Sequence, residues 1–110
     1  MFVGDLIFQH EYPVALDADM YNWTRELDGI AQNRRSLRIV TGHGPVCGRE
    51  AVRAQLGLFD DLARHADRMK AIGATVAEAE KRYTVPDRFR EYAIFSWTWT
   101  VGGVLRSYYR

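Results

Sequence analysis

Phe2-Val-Gly-Asp-Leu-Ile-Phe8 and Leu37-Arg-Ile-Val-Thr-Gly-His-Gly-Pro45 carry the reading of the architecture, because each sets an apolar, β-prone run beside a glycine that lets the backbone turn. Between them Pro13 reads as loop and Asp17-Ala-Asp19 as a helix start, since an aspartate there accepts bonds from the unpaired amides of a first turn. Met20, Trp23, Leu27 and Ile30 follow at spacings of three and four, which predicts a helix from about residue 18 to residue 32 with one buried face. Leu37, Ile39 and Val40 then form a short buried-strand candidate ending at Thr41-Gly42. Strand, helix and strand in this order form a βαβ unit, whose crossover makes the strands parallel and brings both their ends to one sheet edge.

Downstream, Val52, Leu56, Phe59, Leu62, Ala66 and Met69 continue a helical stripe beyond Gly48, and Gly73 stands where a glycine ends a helix. Thr75-Val-Ala-Glu78 has the spacing of a capping box and predicts a short helix to about Tyr83, after which Val85-Pro86 enforces an extended turn. The segment from Asp87 to Arg110 is dense in aromatics around Gly102-Gly103 and is read as helical. The expectation is an α/β (α+β) class in one partial domain: a βαβ segment over residues 1–47 and a helical C-terminal region over residues 48–110. A chain that opens inside a strand is expected to be part of a longer one.

Composition bounds the function. Of 110 residues, 47% are hydrophobic and 26% charged, which suits a folded domain rather than a disordered or fibrous chain. Fifteen basic and fourteen acidic residues leave a net charge of +1, so no electrostatic footprint points to nucleic acid or an anionic membrane. The one cysteine, Cys47, cannot close an internal disulfide, which leaves the compartment open.

Asp5 stands in the first apolar run, where an ionised carboxylate costs several kcal/mol unless it is paired or metal-bound; the plainer alternative is a turn aspartate bonded to nearby amides. Gly42-His43-Gly44 frees an imidazole to stand over the sheet edge, and the alternative there is a loop histidine topping a tight turn. The βαβ reading sets Asp5 and His43 beside adjacent strand ends, where open α/β sheets keep their sites, and a carboxylate with an imidazole suits zinc. Of the other candidates, His10 is either a substrate contact or an ordinary loop residue, and His65 is expected on the surface or flank of the long helix. Cys47 is expected to be a packed loop residue, and Asp17 with Asp19 to cap a helix rather than hold a cation.

Phe2-Val-Gly-Asp-Leu-Ile-Phe8, Asp17-Ala-Asp-Met-Tyr-Asn-Trp23 with Leu27, and Ile39-Val-Thr-Gly-His-Gly-Pro-Val46 together resemble the last two metal motifs of metallo-β-lactamase-fold hydrolases, over residues 2 to 62. The resemblance implies the C-terminal portion of an αββα sandwich and a centre of two zinc ions, with iron or manganese as alternatives. It also implies that Asp5 bridges both ions and that His43 completes the shell of the second. Thr41 stands where the family often has proline. The family's His-x-His-x-Asp-His motif and a further histidine, which lie upstream of these motifs, have no counterpart in this sequence, so the chain by itself is expected to be inactive.

Two functions compete. The first is a metal-dependent hydrolase acting, in its complete form, on a small molecule with an ester, thioester, lactam or phosphodiester bond. The second is a non-enzymatic α/β interaction module that self-associates through exposed apolar surface, its Gly-His-Gly being only a turn. A weaker third option is a half-site completed by another chain.

Overall fold

The computed structural model describes residues 2–4, 8–15, 18–33, 40–41 and 48–110, the side chains of residues 2–4 and 40–41 excepted. Asp19 opens the first helix by accepting the Asn22 amide at 3.1 Å, and α1 runs over Met20–Gln32. Its stripe buries Met20, Leu27 and Ala31, with Trp23 and Ile30 packed against the same core. The longest element is α2, Arg49–Ala71, which buries Val52, Leu58, Phe59, Leu62 and Ala66 and is followed by Gly73 at φ 74°, a left-handed turn that glycine adopts without steric cost. The capping box of α3, Val76–Arg82, is complete: Thr75 Oγ1 accepts the Glu78 amide at 3.2 Å and Glu78 Oε1 accepts the Thr75 amide at 3.1 Å.

The tail is helical only in part. A 3-10 turn covers Asp87–Phe89, turns and an isolated Glu11–Ala93 bridge follow, and α4 occupies Val101–Tyr109 alone. Phe95, Trp97 and Trp99 recur every second residue, so a helix through them would scatter three large rings around its circumference instead of lining one face.

The expected α/β (α+β) class requires a larger correction. Strand β1, Phe2–Gly4, pairs in parallel with β2, Val40–Thr41, Phe2 opposite Val40 and Gly4 opposite Thr41 with an irregular register between. Among the described residues the ladder comprises three residues and two, far short of the sheet that half of an αββα sandwich requires. The described residues instead form a helical assembly in which α1, α2, α3 and α4 pack on one another. Every buried hydrophobic side chain among them lies on a helix, on the 3-10 turn, or at Tyr12, Ala15 and Tyr83. Burial decides the class: a βαβ order in sequence makes a layer only when further strands widen it, and here the helices bury one another.

Backbone groups of Ala15, Ala18 and Met20 tie the first helix and its approach to the tail. Ala15 N donates to Trp99 O at 2.9 Å, Met20 N to Ser107 Oγ at 3.0 Å, and the Arg110 guanidinium to Ala18 O at 2.7 Å. Gly103 permits this approach, because a Cβ on it would stand 2.2 Å from the Ala15 carbonyl oxygen. Gly103→Ala should therefore destabilise the fold by about 2–4 kcal/mol in urea unfolding, although alanine is the better helix former. Gly29→Ala, at an exposed position of α1 with open space around it, should stabilise by about 0.5–1 kcal/mol. Equal effects at the two sites would remove the steric account of α4 docking.

Candidate functional site

Asp5 and His43, the two expected metal ligands, lie outside the described residues, as do Asp17 and Cys47. Their sequence neighbours are described: Asp5 follows Gly4 directly, and His43 stands two residues beyond Thr41, the partner of Gly4 in the parallel ladder. Asp19, the other half of the acidic pair, is engaged as the cap of α1. Among the described residues no three histidine, cysteine, aspartate or glutamate side chains gather as a metal-binding group.

His10 is described in full. Its backbone adopts φ 55°, the one positive value outside glycine among the described residues. Ala93 locks it in place: Ala93 N donates to His10 O at 3.0 Å, and Tyr12 N donates to Ala93 O at 2.9 Å. The exposed imidazole stands edge-on to Tyr92, ring centroids 5.7 Å apart. Both rings border a cavity of about 280 Å³, whose other walls include Phe8 and the Glu50, Ala51 and Ala54 side of α2. Gln55, buried one residue further along α2, accepts the Phe8 amide through Oε1 at 2.6 Å and so anchors the strand-exit segment to the helix.

His65 corrects the expectation of a surface or flank residue. It is only 6% exposed; its Nε2 lies 2.7 Å from Ala79 O, and its ring meets Tyr83 edge-on at 5.3 Å. A carbonyl can only accept, so Nε2 carries the proton. The partners come from α3 and the residue that ends it, which the spacing within α2 does not reveal.

His65 borders a polar cluster that the sequence did not announce. The Tyr83 hydroxyl donates to Asp61 Oδ2 at 2.7 Å, which leaves its oxygen to accept from the Tyr12 hydroxyl at 2.6 Å. Burial pushes the Tyr12 hydroxyl up to about 12. Burial, then the bonds to Tyr12 and Asp61, raise Tyr83 as well. With Tyr12 and Tyr83 buried and their hydroxyls hydrogen-bonded, the cluster adds to the cohesion of the core.

No family model, no curated protein and no solved structure matches this chain. No helix among the described residues is long and apolar enough to cross a membrane.

The tyrosine cluster sets a pH dependence. Folding favours the neutral hydroxyls, so their contribution is complete below the ordinary tyrosine value of 10 and is lost as pH rises through about 12 for Tyr12. Tyr12→Phe should lose about 1 kcal/mol at pH 8, where one hydrogen bond is missing. Its stability should then fall less steeply than the wild type's between pH 10 and about 12. Urea unfolding across that range reads both effects, and an identical slope in the variant would refute the role given to Tyr12.

Proposed function

We propose that this chain is the C-terminal, ligand-bearing part of a metal-dependent hydrolase of the metallo-β-lactamase superfamily, in which Asp5 holds two metal ions and His43 one of them. The observation that carries the reading is the pairing of Gly4 with Thr41 in a parallel ladder. Chain connectivity leaves Asp5 one Cα step of about 3.8 Å from that rung and His43 two steps, so a carboxylate and an imidazole are tethered to neighbouring strands. This donor set suits zinc, with iron or manganese as alternatives.

When bound, such a pair of ions supplies Lewis acidity and a hydroxide nucleophile at neutral pH. The residues of this chain would contribute charge and position: the Asp5 carboxylate would offset the repulsion between two cations, and the His43 imidazole would hold one of them. A His-x-His-x-Asp-His segment is absent from the 110 residues, so hydrolysis belongs to a longer protein that provides it.

Two ligands bind weakly. The 110-residue chain should take up zinc with a dissociation constant on the order of micromolar or weaker, and Asp5→Ala or His43→Ala should abolish even that. In a protein extended by the missing motif, Asp5→Ala should empty both positions and stop turnover, whereas His43→Ala should keep about one ion per chain with slow residual turnover. Elemental analysis beside rate measurements checks this; two retained ions and normal rates in both variants would sink the reading.

One observation favours the second function, a self-associating interaction module. Phe95 and Trp99 are 75% and 45% exposed, with ring centroids 5.8 Å apart, and form a paired, exposed apolar surface. Sedimentation equilibrium discriminates between the two. A dimer that dissociates on Phe95→Ser with Trp99→Ser, in a chain that takes up no zinc, replaces the hydrolase with the module.

A further inference from the structure

The cavity beside His10 is walled by the two segments that continue from the proposed ligands. Phe8 to His10 begins three residues beyond Asp5, and α2 begins six residues beyond His43. From α2 the wall receives Ala51 and Ala54, whose methyl groups leave open the space that leucines at those positions would fill. Phe8 and Tyr92 supply flat apolar faces to the same space. Its volume of about 280 Å³ gives room for about nine groups of the size of a liquid water molecule, which matches a phenyl ring or a short acyl chain.

The polar groups narrow the chemistry. Glu50 on the wall disfavours an anionic group, and the apolar faces of Phe8, Ala51, Ala54 and Tyr92 favour an uncharged one. His10 holds a left-handed backbone that costs a side-chain-bearing residue about 1–2 kcal/mol and glycine nothing. The clamp from Ala93 to His10 O and from Tyr12 to Ala93 O sustains that conformation and keeps the imidazole at the cavity wall against Tyr92. A strained backbone kept at a cavity wall is consistent with a contact role for His10.

From this arrangement we infer that the cavity lined by Phe8, His10, Ala51, Ala54 and Tyr92 is the substrate pocket, taking a neutral aryl or short acyl group while His10 hydrogen-bonds the polar end of that group. The inference rests on the hydrolase reading for calling the bound group part of a substrate. The affinity of the cavity for such a group needs no metal.

The test titrates phenylacetamide, a neutral aryl amide, into the metal-free 110-residue chain in the presence of EDTA, with acetamide and phenylacetate as controls. His10 is one of three histidines, so His10→Gln identifies its imidazole resonance by NMR. Phenylacetamide should shift that resonance with a dissociation constant on the order of 1 mM, as befits a ligand of about ten heavy atoms. Phenylacetate should bind at least about tenfold more weakly, acetamide should cause no shift, and Ala54→Phe should weaken phenylacetamide at least about tenfold by filling the space. The wild-type titration stands even if Ala54→Phe does not fold. A His10 resonance unmoved at 20 mM phenylacetamide, equal binding of phenylacetate, or full affinity in a folded Ala54→Phe chain overturns the proposal. A separate zinc titration without EDTA distinguishes the two readings. A chain that takes up zinc through Asp5 and His43 but leaves phenylacetamide unbound overturns the pocket alone. A chain that binds phenylacetamide but takes up no zinc in that titration overturns the assignment of the bound group to a hydrolysed substrate.

Discussion

Helix α2 buries Val52, Leu58, Phe59, Leu62 and Ala66 along its length, and a stripe that wide leaves water only when helices cover it from more than one direction. Each of the larger side chains is worth about 1.5–3 kcal/mol on burial, against about 1 kcal/mol for a hydrogen bond such as Tyr12 to Tyr83, so the stripe dictates where other elements go. From α1, Trp23 meets Phe59 edge-on at 5.1 Å. From α4, Tyr108 is held through its carbonyl by the Lys70 ammonium at the far end of the same helix. From α3, Ala79 is fastened by His65. The first turns of α2 stand beside the strand-exit segment, where Gln55 joins them to Phe8, so the element that organises the core also supplies a wall of the candidate site.

The division of labour along α2 is physical. Toward its middle and end the inward residues are large and apolar, and the polar groups among them are closed off by partners, as His65 and the Tyr83–Asp61 bond show. Near its start, beside the buried Val52 and Gln55, the half-buried positions facing Phe8 and Tyr92 are Ala51 and Ala54, and space opens. Close packing cannot tolerate such space without the loss of dispersion contacts along its lining. That loss falls at the end of the helix nearest the two glycine-bearing motifs rather than in the centre of the core.

What could be read from residues alone follows how local each determinant is. Asp19, the Thr75–Glu78 box and the Met20–Leu27 spacing act within one or two turns of backbone, and those helices formed where the pattern put them. The class of the fold was misread because strand order is local and sheet width is not: nothing near Gly4 or Thr41 states how many strands will join them. Gly102-Gly103 signals a break in propensity, yet Gly103 sits inside α4 because Ala15, far away in sequence, needs the room. His65 and Tyr83 were missed likewise, since burial of a polar ring depends on a carbonyl or carboxylate from another element. Of the candidate site, the donor types at Asp5 and His43 were legible as chemistry. The cavity was not, because two alanines announce no void until an aromatic from the tail closes over them.

The bonds from Ala15, Ala18 and Met20 to the tail also bear on how the molecule is born. Met20 waits for Ser107 and Ala18 for Arg110, separations of 87 and 92 residues, and the docking surface for α4 is incomplete without them. At a synthesis rate of about 5–20 residues per second the early segment stays without its partners for roughly 4–18 s, longer than a helical turn needs to form by many orders of magnitude. Helices α1 and α2 can therefore assemble on the ribosome while their covering is unmade, with Phe59 and Leu62 guarded on one side only. A nascent chain in that state exposes apolar surface that α4 later covers.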